Sequence, residues 1–163
     1  MEIDCLFQYR ISKYSRQSTP DMAVDDQWTS IFDIGKTFCG KVLTYSEYIN
    51  TENQYLELIK WVCKSSGVER LQITNLEDYQ CLSPCENLSW TESVEQIVNI
   101  ARDCLRERYW CRLHAHNFFI HFGYDYYLYM GTQLDYLQMH CIANSLGVFV
   151  EKMSSPYCVL SSE

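Results

Sequence analysis

Between Tyr109 and Gly131 the chain carries three short runs of β-forming residues in succession, YWCRLHAH, NFFIHFG and DYYLYMG. Only Asn117 and Gly123-Tyr124-Asp125 separate them. A parallel pair needs a crossover of a dozen or more residues, so connections this short predict an antiparallel meander. In the last run, pleating sets Leu128 and Met130 on one face and Tyr127 and Tyr129 on the other. Both faces are apolar or aromatic, which predicts a central strand covered on both sides. The alternative is a tyrosine patch left exposed for a partner.

Helices must supply the cover. Thr44 and Glu47 form a capping box, and Tyr48, Glu52, Tyr55, Leu56, Ile59, Val62 and Cys63 follow at helical spacing up to the stop at Gly67. Val68, Leu71 and Ile73 mark a short strand, and Asn75 to Asn87 reads as a loop. A second capping box, Ser89 to Glu92, predicts a helix with Val94, Ile97, Val98, Ala101, Cys104 and Leu105 on its apolar face. A third helix is expected in TQLDYLQMHCIANSLG, capped by Thr132 and ended by Gly147, and VFVEKM reads as a last strand. At the other end DCLFQYRIS is a strand with Cys5, Phe7 and Tyr9 on one face. The polar segment 13–27 is a loop, and Gly35 and Gly40 predict turns within WTSIFDIGKTFCGKVLT. The expected architecture is α+β, one domain over 1–163, with about three helices against an antiparallel sheet.

With 163 residues, 47% of them hydrophobic, the chain is long enough for one core. It has no apolar run of membrane-spanning length, and its start, MEIDCLFQYR, is acidic where a secretory signal is basic. A cytoplasmic protein is therefore expected. The nine cysteines are odd in number and read as reduced, packed thiols. A net charge of −8 argues against nucleic acid, whose phosphates demand lysine and arginine, and favours a basic protein partner.

Chemistry has few footholds. His114 and His116 share a strand face, with His121 on the neighbouring strand, so a metal site or a Cys/His enzyme using Cys111 is one reading. The cysteine spacings Cys81-x3-Cys85 and Cys104-x6-Cys111 do not form paired knuckles, and no nucleophile elbow surrounds any cysteine. Gly35-Lys36-Thr37 ends like a phosphate loop, but Ser30 stands where its first glycine belongs. No catalytic role and no cofactor are expected. Glu52, on the apolar stripe of its helix, requires an arginine or tyrosine partner.

Charge placement is more informative. Glu47 to Glu95 holds nine acids against three bases, six of the eight net negative charges. Such a face is a solvated surface or a lure for a basic partner. The segments from Trp28 to Tyr55, LQITNLE, CLRERYWCRL and FFIHFGYDYYLYMG, with DIGK-x-F-x-GK-x-LT and HFGYDYY as the densest motifs, resemble the bacterial immunity proteins of contact-dependent inhibition and related polymorphic toxin systems. The resemblance implies a cytosolic, non-catalytic binder of one cognate toxin domain. With the charge pattern it points to a basic nuclease, contacted through Glu47, Glu57, Glu77, Asp78, Tyr124, Asp125, Tyr127 and Tyr129. A scaffold subunit associating through its tyrosine face is a further alternative.

Overall fold

The structure, a computed structural model, describes residues 7–15, 26–83 and 88–158. Most of the expected 13–27 loop, together with Cys5, Cys85 and Glu86, lies outside the described residues. In chain order the elements are β1 (Phe7–Ser12), a 3-10 turn (Ile31–Asp33), a hairpin of β2 (Thr37–Phe38) and β3 (Lys41–Val42), α1 (Tyr45–Ser65), β4 (Gln72–Glu77) and α2 (Val94–Leu105). β5 (Trp110–Ala115), β6 (Phe118–Phe122), β7 (Leu128–Thr132), α3 (Tyr136–Leu146) and β8 (Phe149–Lys152) complete them. Six strands form one antiparallel sheet in the order β4-β5-β6-β7-β1-β8. The meander is present, and the α+β architecture is the one the sequence predicts. Among the described residues no helix is long and apolar enough to cross a membrane.

Register divides the strand residues between two faces. Ile73, Leu113, Ile120, Met130 and Tyr9 lie side by side on the inner face, in one core cluster with Tyr55, Leu56, Ile59 and Val62 of α1 and Ile97, Ala101 and Cys104 of α2. Thr74, Arg112, His121, Tyr129, Arg10 and Glu151 make the corresponding outer row. The outer face is also covered, though not by a helix. Residues 153–158 cross it: the Ser155 hydroxyl lies 2.8 Å from His121 Nδ1, and the Ser155 amide donates to Gln8 Oε1. The Tyr157 ring packs against Trp110, His121 and Tyr129. As a result Phe119 and His121 are fully enclosed and Tyr129 nearly so.

Two helix starts differ from expectation. α2 is capped by Ser93, whose hydroxyl accepts from the Gln96 amide, and not by Ser89. The Ser89–Thr91 stretch is held by β4 instead, through Ile73 N to Ser89 O and Thr91 N to Leu71 O, both 2.8 Å. α3 is capped by Asp135 in a box with Gln138, and not by Thr132, which pairs with Phe7 as the last residue of β7. In both cases cross-strand pairing takes the nearer capping residue and the helix begins at the next one. The box at Thr44 and Glu47 forms as expected, as does the left-handed stop at Gly147 with φ 81°.

Glu52 is enclosed, and its partners are the predicted ones. Arg106 binds it through two hydrogen bonds of 2.7 and 2.8 Å, and Arg102 Nε lies 3.8 Å from the same carboxylate.

Candidate protein-binding cleft

The connection from β6 to β7 breaks a local rule. Asp125 and Tyr126 both have positive φ, 55° and 64°, while Tyr127 N donates to Tyr124 O and Gly123 N to Tyr127 O. These are the marks of a type I′ hairpin turn, a geometry usually given to Asn-Gly and unfavourable for an aromatic residue. Burial offsets the strain. The Tyr126 ring sits among Trp28, Tyr48 and Tyr55 at centroid distances of 5.0 to 5.9 Å, its hydroxyl donates to Tyr48 Oη, and its carbonyl accepts from the Tyr55 hydroxyl. With Tyr126 anchored inward, the other end of the turn points out: Tyr124 is 85% exposed.

Tyr124 stands at the rim of a cleft of about 480 Å³. Distant parts of the chain build its walls: Glu77 and Tyr79 at the end of β4, Cys104 of α2, Glu107 to Tyr109 in the link that follows, Trp110 and Arg112 of β5, and Tyr157 of the covering segment. Tyr79 is 90% exposed, so two free phenols flank the opening. The Trp110 indole donates to Phe122 O at 2.7 Å, which fixes its ring as a wall. The Arg112 guanidinium lies over both the Trp110 and Tyr157 rings, and its Nε is buried with no hydrogen-bond partner among the described residues. Arg108 pairs with Asp103 at 3.0 Å. Burial, then the nearby Asp33, raises the Glu107 carboxyl. The cleft is therefore aromatic with mixed charge.

The residues singled out in the sequence do not form one footprint. Glu77 and Tyr124 meet in this cleft. Asp78 follows Glu77, but its carboxylate accepts from the amides of Leu82 and Ser83. Glu47 is engaged by Lys41 and by the amide and hydroxyl of Thr44, which together hold its carboxyl down at about 2. Glu57 is free to solvent on α1. The expected run of exposed tyrosines holds at Tyr124 alone. Tyr126 and Tyr129 are buried, and Tyr127 is half-buried between Arg10 and Tyr14. Asp125 is exposed in the turn, and its carbonyl accepts from the Tyr14 hydroxyl at 2.8 Å. Tyr79 was not anticipated; its signal was a lone aromatic within a polar, acidic loop.

The histidines are divided as well. His114 and His121 face each other at 4.9 Å on the outer face, whereas His116 is exposed in the β5–β6 turn. Cys111 is on the inner face, so the sheet itself separates it from His114 and His121. Among the described residues no three His, Cys, Asp or Glu side chains converge as a metal site would require. Comparison with protein-family models, with curated proteins and with solved structures gave no match.

Proposed function

We propose that this chain is a protein-binding domain of the immunity type, which neutralises a basic toxin domain by taking a projection of it into the Glu77–Tyr124 cleft. The observation that carries the proposal is the pair of exposed phenols, Tyr79 and Tyr124, flanking an aromatic cleft with Glu77 on its wall. Exposed aromatic side chains around a concave, partly charged site have the composition of a binding hot spot. The net charge of −8 supplies long-range attraction for a basic partner, and Glu57 and Glu77 carry that charge without a structural duty in capping.

Affinity for the partner, recovered from host lysate and then purified, separates the contributions. Tyr124→Ala is expected to weaken binding by roughly 30-fold, as for a hot-spot aromatic. Leu137→Ala, which removes an exposed side chain on α3, is the control and should leave binding unchanged. Glu57→Lys with Glu77→Lys should slow association and reduce its salt dependence. Equal affinities for wild type, Tyr79→Ala and Tyr124→Ala would rule this cleft out as the binding site.

A further inference from the structure

Cys104, near the C-terminal end of α2, and Cys111 of β5 bring their sulfurs to 3.8 Å on the inner side of the sheet. The turn between them is braced by its own backbone, with the amides of Arg106, Glu107 and Arg108 bonded to the carbonyls of Arg102, Cys104 and Asp103. The two thiols differ in access. Cys111 is fully enclosed, while Cys104 retains a small exposure and forms part of the cleft wall. A disulfide requires the sulfurs to close to about 2.05 Å, a movement of the order that side-chain rotation gives.

The geometry points to an oxidisable dithiol, in which Cys104 reacts with a hydroperoxide entering through the cleft and Cys111 resolves the product to a Cys104–Cys111 disulfide. In the first step the Cys104 thiol gives up its proton and its sulfur attacks one peroxide oxygen. The O–O bond breaks, hydroxide leaves and takes the proton as water, and Cys104 becomes a sulfenic acid. In the second step the Cys111 sulfur attacks the Cys104 sulfur, an S–S bond forms, and the S–O bond breaks. The departing hydroxide takes the proton from Cys111 as a second water. Two thiols are oxidised by two electrons, and with hydrogen peroxide the other product is two waters. Burial above all, and the adjoining Cys111 sulfur, raise the Cys104 thiol well above its ordinary value of 9. The first step is therefore slow at neutral pH and quickens as pH rises. The dithiol acts as a slow latch: once formed, the bond ties the end of α2 to β5 across the cleft wall.

Trypsin releases Asp103–Arg106 and Tyr109–Arg112 as separate peptides, so the link is directly visible. The full-length protein is treated with hydrogen peroxide, denatured, alkylated and digested without reductant, and the peptides are weighed. The expected product is the two peptides joined and lighter by two hydrogens, forming roughly tenfold faster for each pH unit between 7 and 9. Cys111→Ser should halt the sequence at a Cys104 sulfenic acid that dimedone captures, and Cys104→Ser should leave Cys111 reduced. Full recovery of both cysteines in alkylated form, while the exposed Cys39, Cys81 and Cys141 are oxidised, would overturn the proposal. So would Cys104 joined to any other cysteine. None of these readouts involves a binding partner, so the outcome is independent of the proposed function.

Discussion

Arg106→Ala is expected to destabilise the fold by about 3 kcal/mol, the low end for breaking a buried ion pair by removing one partner. The Glu52 carboxylate is 1% exposed and receives both hydrogen bonds of the Arg106 fork. Truncating Arg106 leaves that carboxylate enclosed with its strongest donor gone. Arg102, with Nε 3.8 Å from Glu52 Oε1, limits the loss, which is why the low end applies. Glu52 holds the Arg106 guanidinium even more firmly charged than usual. Arg102→Ala, which removes a longer and more exposed contact, should cost under about 1 kcal/mol. Replacing both Glu52 and Arg106 with leucine should recover most of the loss, because no charge is then left without a partner. Urea denaturation gives the comparison directly. An Arg106→Ala midpoint within error of wild type would show that the ion pair contributes nothing net.

The same residue illustrates what a sequence discloses. Glu52 sits on the apolar stripe of α1, so the need for a buried partner was legible, but Arg106 lies 54 positions away and only the packing of α2 on α1 brings it there. The meander and the Thr44 cap were legible because each rests on adjacent residues. Ser89 and Ser93 offer the same capping chemistry, and the choice between them is made by β4, which the local pattern cannot represent. The greasy faces of β7 announced a cover on both sides, although nothing in residues 153–158 identified them as the outer one. At the site, Tyr124 was legible as a tyrosine in a turn. Its exposure was not, since it depends on Tyr126 accepting a left-handed conformation that aromatic residues seldom adopt.

That same cover predicts the protein's response to acid. His121 is fully enclosed beneath Ser155 and Tyr157, and burial first, then the neighbouring His114 and Arg112, lower its pKa from 6.5 to about 3. His114 is lowered to about 4 by burial and by Arg112. Both rings are neutral in the native state at pH 7, whereas in the unfolded chain they take up protons near pH 6.5. The unfolded state therefore binds more protons than the native state throughout the interval from about pH 6.5 down to the native values. Stability contributed by the uncharged rings is complete above that interval and is lost progressively on acidification through it. At about 1.4 kcal/mol per pKa unit, His121 alone accounts for a loss of about 3 kcal/mol between pH 7 and pH 4. The facing groups reinforce the effect: Arg112 on β5 is cationic, the tail presents a hydroxyl and a phenol, and two charged imidazoles 4.9 Å apart would repel each other. Carboxylates act at lower pH, since Glu47 and Asp33 titrate below their ordinary range. His121→Asn leaves His114 as the one remaining ring of the pair, so its stability should fall by about half as much as that of wild type between pH 6.5 and 4.5. Denaturant midpoints collected across that interval decide the matter, and parallel declines in the two proteins would mean that acid acts elsewhere.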